Sequence, residues 1–403
     1  MRLSTANTFD ASIANLQARQ QKMQEAQAQL TSGKRIATAS DDPAGAARAE
    51  RALAALGRID ANQRGLESSR NNMTLGEAAL GDANEIMQQI RETVVSAGNA
   101  SYSDAERAGL AEKISGLRAQ LLTIANRGDG ADGFLFSGQG SSAPPFLDQA
   151  GGVSYTGTPG TIQTGNIDSF QLTIDGRSAW EQARSGNGSF VTGPLPNVNS
   201  GAAPAGWIDA GGVSDPAALT GHNYTIQITG AKPAQTYTVT DTDTGAVVGS
   251  NNFTAGQAIK FDGMTMNISG AAADGDQYEV KPSTNDLKVF DVLDQTIAEL
   301  KTPSRSSAQI AQSNSGRLRD LDAVMGNLQN VRSQVGQQMN NLDGTETRMQ
   351  ALKQYSQTER SAAEDLDMVQ GISDFQNQQT GYDAALKTYA MVQRMSLFQY
   401  ING

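Results

Sequence analysis

Apolar side chains recur at alternating steps of three and four residues along both ends of this 403-residue chain, and the pattern stops in the middle. A repeat close to 3.5 residues keeps one apolar seam turned toward a partner helix over many turns. The seam is clearest in two runs: Leu80, Ala83, Met87, Ile90, Val94 and Ala97, then Leu321, Met325, Leu328, Arg332, Val335, Met339 and Leu342. Long paired helices are therefore predicted at both ends of the chain.

Short motifs mark where these helices begin and end. Gly33 can take the left-handed conformation that closes the first helix. Asp42 followed by Pro43 is typical of an N-cap and a first helical position, and residues 103–106 (SDAE) indicate a capping box. A helix from Pro43 to about Ala97 would be about 80 Å long, which is too long for a compact globule.

The middle of the chain has a different composition. Residues 133–284 hold 24 of the 42 glycines, 9 of the 11 prolines and both tryptophans. Apolar residues there alternate with period two between turn signals, which predicts strands at 152–157, 170–174, 224–229, 236–240, 258–261, 264–268 and 278–280. Asp262-Gly263 predicts a two-residue hairpin turn. The Gly/Pro/Asn-rich stretch 185–217 either divides the insert into two lobes or forms a long surface loop, and partial deletions in it are expected to be tolerated.

These features predict an α+β fold, in which a long antiparallel helical rod is built from N- and C-terminal segments and carries an inserted all-β domain of sandwich or barrel type. Because the helical flanks lie at opposite ends of the sequence, N-terminal helices must pair with C-terminal ones. The expected division is a terminal helical assembly domain at 1–36 and 380–403, a helical rod domain at 37–132 and 285–379, and a surface β domain at 133–284.

Composition excludes most catalytic chemistry. The chain has no cysteine and a single histidine, His222, which rules out thiol nucleophiles, multi-histidine metal sites and histidine–cysteine pairs. We expect His222 to be a turn or surface residue. No catalytic, cofactor-binding or metal site is predicted, and the chain is not expected to be an enzyme.

Three charged features have structural interpretations. Residues 41–42 (DD) are interpreted as helix-capping residues rather than paired catalytic carboxylates, because Pro43 follows them. Residues 241–245 (DTDTG) resemble the start of a calcium loop, but Asn252 stands where the closing glutamate would be, so a solvated turn is favoured. Arg332, on an otherwise apolar seam, is interpreted as a snorkelling or interface-paired side chain rather than an anion site.

Charge and hydropathy limit the partners. The net charge is -11 and no run of Lys or Arg occurs, so no nucleic-acid partner is predicted. No window approaches the roughly 18 consecutive apolar residues of a membrane span, so no membrane insertion is predicted. The N-terminus lacks the apolar core of a secretory signal. These signals alone indicate a cytosolic protein, an inference that fails for an export route with an uncleaved, non-apolar signal.

The two ends of the chain carry unusually few charges opposite their apolar stripes. Residues 1–36 have mainly Gln, Ser, Thr and Asn on the polar face, and residues 371–403 hold four charged side chains. Such helices cannot satisfy both faces as an isolated pair, so we expect them to be frayed in the monomer and ordered among neighbouring copies. The predicted subunit-interface residues are Phe9, Ile13, Leu16, Met23, Leu30, Tyr382, Leu386, Tyr389, Val392, Leu397, Phe398 and Tyr400.

Both ends also resemble a known family. Residues 32–36 (SGKRI) with 39–45 (ASDDPAG) look like the N-terminal signature of bacterial flagellins, and residues 372–382 (ISDFQNQQTGY) with 397–401 (LFQYI) look like the matching C-terminal end. Finding both halves in the right order makes the resemblance specific.

Within that superfamily, two motifs favour its hook–filament junction branch. Residues 133–138 (GFLFSG), with the PPF and GVSYTG runs that follow, are similar to the start of that branch's β domain, and residues 330–336 (NVRSQVG) are similar to its C-terminal rod helix. Ala39 departs from the pattern, since a junction protein often has proline there.

The resemblance implies a structural subunit that is exported unfolded through the flagellar type III channel with the help of an export chaperone. It would be secreted to the flagellum and self-associate as a ring or helical layer between the first hook-associated protein and flagellin. Flagellin itself, the main filament subunit, is the alternative within the family. A coiled-coil signalling or enzymatic protein with a β sensor domain is a third reading, but the sequence has neither the membrane span nor the charged flanking positions that such a protein requires.

Overall fold

A computed structural model describes residues 5–99, 101–139, 141–158, 160–164 and 168–401, with side chains at 5–9, 162–164, 168 and 392–401 outside that description. The helices are α1 (Thr5–Ser32), α2 (Pro43–Ala97), α3 (Asp104–Ala125), α4 (Gly176–Trp180), α5 (Val289–Lys301), α6 (Ser307–Glu364) and α7 (Met368–Ile401). The strands are β1 (Phe146–Gln149), β2 (Gly152–Tyr155), β3 (Ile162–Thr164), β4 (Asp168–Phe170), β5 (Phe190–Leu195), β6 (Gly206–Ile208), β7 (Gly212–Val213), β8 (Tyr224–Thr229), β9 (Thr236–Asp241), β10 (Val247–Asn252), β11 (Ala258–Phe261), β12 (Met264–Gly270) and β13 (Gln277–Pro282). The predicted α+β fold, with helical flanks around an all-β insert, is confirmed.

The chain forms two compact units, Met1–Arg64 with Thr345–Gly403, and Gly65–Gly344. The first unit holds the terminal helices α1 and α7 with the adjoining parts of α2 and α6. The second holds the rest of α2 and α6, the helices α3 to α5, and all the strands.

Helix ends lie where the capping motifs place them. Gly33 has a φ of 68° and donates its N–H to the carbonyl of Gln29 at 2.8 Å. The Asp42 carboxylate accepts the N–H of Gly45 at 2.9 Å at the start of α2. Ser103 and Glu106 exchange the two hydrogen bonds of a capping box at the start of α3.

Within the second unit, α2 and α6 pair in antiparallel fashion. Glu77 accepts a hydrogen bond from Arg332, and farther along α2, Arg91 donates to Asp322 at 2.6 Å. Residue numbers thus rise on α2 as they fall on α6. The predicted α2 seam from Leu80 to Ala97 is buried throughout.

The predicted α6 seam is one position off at Met325 and Arg332. Buried positions are Leu321, Val324, Leu328, Val331, Val335 and Leu342, whereas Met325 and Met339 are half-buried and Arg332 is exposed. Both sets satisfy a 3.5-residue repeat. Side-chain type does not separate Val324 from Met325, but it does separate the apolar Val331 from the charged Arg332. Arg332 lies on the flank of the seam and forms an ion pair with Glu77 of the facing helix α2, which agrees with the interface-paired alternative.

The insert has two parts. The first contains the hairpins β1–β2 and β3–β4 and the short helix α4, and it packs onto α5 through an aromatic cluster. In that cluster the Trp180 ring stacks on Phe290 at 5.8 Å, and Phe136 and Phe146 meet Trp180 edge-on. These three rings pack around Trp180, whose side chain is fully buried.

The second part is a lobe of two sheets, which we call the β lobe (residues 190–282). One sheet has the order β10-β9-β8-β13-β5, and the other β11-β12-β6 with β7 also paired to β12. Inward-facing residues of both sheets form one core, which includes Ile226, Ile228, Met266, Ile268 and Tyr278. The turn between β11 and β12 has positive φ at both Asp262 (40°) and Gly263 (75°), which confirms the predicted hairpin.

Two expectations for the insert were wrong. The run 170–174 is not a strand beyond Phe170, where β4 ends. The stretch 185–217 is not a dispensable surface loop: it contains β5, β6 and β7, and its Phe190 and Ile208 side chains lie in the core of the β lobe. Partial deletion there would remove strands that pair with β13 and β12.

Candidate assembly surface

The segment between α1 and α2 is bound to the end of α6 by backbone and charged contacts. Arg35 donates its N–H to the Glu364 carbonyl at 2.7 Å, and Gly33 accepts the N–H of Leu366 at 2.9 Å. The Arg35 guanidinium also donates to the Ala363 carbonyl at 2.8 Å. The SGKRI motif therefore joins the N-terminal flank to the C-terminal flank within the first unit.

Charges reinforce this junction. Lys34 lies 3.4 Å from Glu364, which also pairs with Arg360 at 2.8 Å. Arg35 lies 3.2 Å from Asp42, the N-cap of α2. These pairs are partly exposed, so each contributes a fraction of a kcal/mol, on the order of 0.2–1, and their main effect is to fix geometry.

The two neighbouring aspartates cap the loop and the helix as predicted. Asp41 accepts N–H groups from Thr38 at 2.8 Å and Ala37 at 3.0 Å, and hydrogen bonds from Thr38 lower the pKa of its carboxyl. The Gly45 N–H lowers the pKa of Asp42, with Arg35 adding to the effect. Both carboxylates are therefore committed to structure.

Gly45 lets Ile36 reach the first turn of α2. A Cβ atom at position 45 would lie 2.5 Å from Cδ1 of Ile36 and 2.5 Å from Oδ2 of Asp42. Any larger residue would displace the buried Ile36 or the helix cap, which explains the glycine of the ASDDPAG motif.

The terminal helices α1 and α7 pack against each other. They approach closely at two glycines of α7: a Cβ on Gly371 would lie 3.2 Å from Cδ2 of Leu30, and one on Gly381 would lie 2.6 Å from Nη1 of Arg19. The order of these contacts makes the pair antiparallel.

This pair has almost no core of its own. Between residues 10 and 32 no side chain is buried, and between 368 and 391 the single buried residue is Gly371. In the second unit, by contrast, the α2 seam is at most 2% exposed from Leu80 to Ala97. The terminal helices are paired but leave their apolar side chains partly in solvent.

The predicted interface residues lie on these half-covered helices. Ile13, Leu16, Met23, Leu30, Tyr382 and Tyr389 are half-buried, and Leu386 is 41% exposed. Phe9, Val392, Leu397, Phe398 and Tyr400 lie outside the described side chains. Whether any of the twelve contacts another subunit stays a prediction.

The predicted interface leaves out several exposed apolar residues of the first unit. On α7, Val369 is 81% exposed, with Met368 and Ile372 close to half exposed. On α6, Leu352 and Tyr355 are 56% and 64% exposed. Met391 of α7 is 62% exposed as well. The spacing of these residues is helical, so the pattern alone could not separate them from buried seam residues.

At one end of the β lobe, three side chains of the types that can bind metal ions lie close together. Among the described residues, His222, Asp241 and Asp243 place ligand atoms within 4.8 Å of one another. The carboxylates accept N–H donors: Asp241 from Asp243 and Thr244, and Asp243 from Asn223. The DTDTG motif is therefore a hydrogen-bonded turn, as favoured from the sequence.

Family models match most of the regions described above. The bacterial flagellin N-terminal helical region matches residues 4–141, and the bacterial flagellin C-terminal helical region matches residues 318–401. Together they cover more than half of the chain and include both the SGKRI junction and the α1–α7 pair. The chain belongs to the flagellin superfamily. A third model, the D2-like domain of flagellar hook-associated protein 1, matches residues 198–282 in the β lobe.

Within the flagellin superfamily, full-length similarity is to the hook-associated branch. Flagellar hook-associated protein 3 of Salmonella typhimurium is 26% identical, with 99% of each chain covered. The crystal structure of FlgL from Xanthomonas campestris is 26% identical and superposes with a TM-score of 0.67, covering 78% of this chain and 99% of that one. Polar flagellin F of Vibrio parahaemolyticus is 30% identical but covers 30% of this chain. The flagellin alternative is therefore the weaker one.

This flagellin-superfamily chain is thus a structural component of the bacterial flagellum, of the hook-associated protein 3 type. In the part of the chain that the structure covers, we find no helix with the length and apolarity to cross a bilayer.

Proposed function

We propose that the protein is the junction subunit between the hook-associated ring and the flagellin filament, and that its copies associate through α1 and α7. The first hook-associated protein would contact it on the hook side and flagellin on the filament side. It would reach that place by unfolded export through the flagellar type III channel, after binding an export chaperone in the cytoplasm. The functional division would be terminal assembly helices at 1–36 and 380–403, a helical rod and a surface β domain.

The single observation that carries this proposal is that the described side chains of α1 and α7, at 10–32 and 368–391, form almost no buried core. Two helices of 28 and 34 residues pack together, yet their described side chains leave Gly371 as the only buried position. Burial of apolar surface is the main source of free energy for helix pairing. An isolated pair of this kind is therefore weakly stabilised and gains most by packing among other copies.

Charge supports the same conclusion. Described side chains 368–391 present exposed Val369, Ile372 and Leu386, with few charges to repel an identical neighbour. Large exposed apolar surfaces on a soluble chain mark sites of protein association. Such a surface is expected to be buried in the assembled state.

The test compares two aspartate substitutions on α7 in a strain that lacks the gene. Leu386→Asp would place an unpaired carboxylate in the subunit interface, at a cost of several kcal/mol, and should abolish incorporation into flagella. Asn377→Asp adds the same charge at an exposed polar position on the opposite face of α7 from Leu386 and should incorporate normally. Circular dichroism and thermal melting of both purified proteins check that they remain folded.

The strain without the gene separates the junction proposal from the flagellin alternative. Hooks without filaments, with flagellin shed into the medium, are expected for a junction subunit. Filaments of normal number and length would instead point to a redundant flagellin. If Leu386→Asp also supported normal flagella, the terminal-helix interface would be wrong whichever role the subunit has.

A further inference from the structure

The only histidine of the chain lies at one end of the β lobe and contacts a buried carboxylate. His222 precedes β8 by two residues, and Asp241 is the last residue of β9, which pairs with β8. Nδ1 of His222 lies 2.8 Å from Oδ2 of Asp241. The imidazole is 40% exposed, whereas the Asp241 side chain is 6% exposed. The pair therefore joins a solvent-accessible titrating group to a buried charge.

Asp241 is fixed by several donors. Its Oδ1 accepts the N–H groups of Asp243 at 2.9 Å and Thr244 at 3.2 Å, while Oδ2 faces His222. Burial by itself raises the pKa of this carboxyl, but the hydrogen bonds from His222 and Thr244 outweigh it and hold the pKa at about 2. Asp241 is therefore ionised at all ordinary pH values, and His222 is the titrating group that contacts it.

Two more carboxylates face the imidazole. Asp243 follows β9 and accepts the N–H of Asn223 at 2.9 Å, and Asp262 in the β11–β12 turn accepts the Tyr224 hydroxyl at 2.7 Å. In the part of the chain that the structure describes, neither of them nor Asp241 forms an ion pair with lysine or arginine. The hydrogen bond to Asp241, opposed by slight burial and aided by all three negative charges, raises the pKa of His222.

His222 also lies near one end of the segment that connects the two sheets of the β lobe. Residues 214–223 run from β7 to β8, and so from one sheet of the lobe to the other. At the start of the segment, the N–H groups of Ser214 and Asp215 donate to the Gly263 carbonyl at 2.7 and 3.1 Å. In its middle, Leu219 packs on the lobe core. His222 and Asn223 tie its far end to the β9 turn.

We propose that His222 and Asp241 form a proton-dependent latch that holds segment 214–223 closed over the end of the β lobe. With the imidazole protonated, one cation compensates a group of three carboxylates contributed by β9 and the β11–β12 turn. When the imidazole loses its proton, the three negative charges remain without a cation and the far end of the segment is released more easily.

The direction of the pH effect follows from linkage. A histidine whose pKa is higher in the closed state than in the open state stabilises the closed state fully below the open-state value of about 6.5. This stabilisation is lost as pH rises through the closed-state value. For each unit by which the closed-state pKa exceeds the open-state pKa, the ratio of closed to open molecules falls about tenfold between acid and alkaline pH. The latch therefore closes in mild acid and loosens in alkali.

Because the chain has one histidine, the test can read the group directly. Titration of the imidazole resonance by proton NMR of the full-length protein, in the presence of EDTA, should give a pKa above about 6.5. Over the same pH range, hydrogen-exchange protection of residues 214–223, corrected for intrinsic rates, should fall while that of β8 and β13 stays constant. A pKa at or below about 6.5 would overturn the proposal.

A variant separates charge from hydrogen bonding. His222→Gln keeps an N–H donor for Asp241 but cannot become cationic, so protection of 214–223 should be independent of pH and equal to that of the alkaline wild type. Asp243→Asn removes one facing carboxylate and should lower the His222 pKa. If His222→Gln retained the wild-type pH dependence, another group would control the segment and the latch would be wrong. Should this variant fail to fold, the wild-type titration still decides the question.

Discussion

Replacing Val369 with alanine should weaken assembly without weakening the folded monomer. The side chain lies in the first turn of α7 and is 81% exposed, so it contributes little to folding of the single chain. Alanine is the better helix former, and substitutions at exposed positions usually change the free energy of unfolding by less than about 0.5 kcal/mol. The melting temperature of Val369→Ala should therefore match or slightly exceed that of the wild type.

The contribution of Val369 to the free energy of assembly follows from how much of this residue is exposed in the single chain. Valine has two more carbons than alanine, worth about 0.8 kcal/mol each when transferred from water to a packed interface, so about 1.6 kcal/mol in all. Since 81% of the side chain is still exposed in the single chain, about 1.3 kcal/mol of this is available on assembly. That free energy corresponds to a change of close to tenfold in the association constant.

Competition in cells measures this quantity. Wild type and variant, carrying distinguishable tags, are co-expressed, and their ratio in purified flagella is divided by their ratio in the cytoplasm. Val369→Ala should be depleted about tenfold. Val247→Ala, at a valine of β10 that is 62% exposed, is the control and should not be depleted. A drop in the melting temperature with unchanged incorporation would refute the reasoning, because it would mean that Val369 packs within the monomer.

Three further substitutions test the fold. Ile90→Ala, at a fully buried position of the α2 seam, should lower the free energy of unfolding by about 2–5 kcal/mol in urea titrations, whereas Val95→Ala at a half-exposed position should change it by less than about 0.5 kcal/mol. Gly263→Ala should destabilise the β lobe more than Gly245→Ala: both glycines have a φ of 75°, but a Cβ at 263 would overlap the carbonyl oxygen of Asp215 and one at 245 meets nothing within 4 Å. Asp42→Ala should cost about 1 kcal/mol through loss of the α2 cap, and Asp42→Asn, which keeps a capping oxygen, should cost less. Equal effects within any of these pairs would contradict the packing described.

Features that depend on local chemistry could be predicted from the sequence. The α2 helix begins at Pro43 and ends at Ala97 as expected, because capping residues, proline and glycine act on the backbone beside them. The same holds for the Asp262-Gly263 turn and for strand β8, whose predicted and observed limits agree. Each of these is fixed by residues that are near one another in the sequence.

Features that depend on residues far apart in the sequence could not be predicted from it. The α6 seam was offset because Val324 and Met325 are equally apolar, and the partner helix decides which of them is buried. Strand β5 could not be predicted because Gly193 and Pro194 interrupt it, and β6 because it has only three residues. Their pairing with β13 and β12 supplies the stability that propensity lacks.

Some features of the candidate assembly surface could likewise be predicted from the sequence, and others could not. The SGKRI and ASDDPAG motifs predicted the ends of helices, but not that Arg35 would bind the last turn of α6. The low charge of the terminal helices is visible in the sequence, whereas the 81% exposure of Val369 is not. A helical repeat gives the spacing of the apolar residues, but which of them are exposed depends on the helices that pack beside them.

Hydrogen exchange of the terminal helices, measured on the dilute single chain and on assembled flagella, shows whether α1 and α7 need neighbouring copies to become stable. We expect amides of α1 and α7 to exchange rapidly in the single chain while those of the α2 seam around Ile90 are protected, and both sets to be protected after assembly. Strong protection of α1 and α7 in the isolated chain, unchanged on assembly, would contradict this expectation.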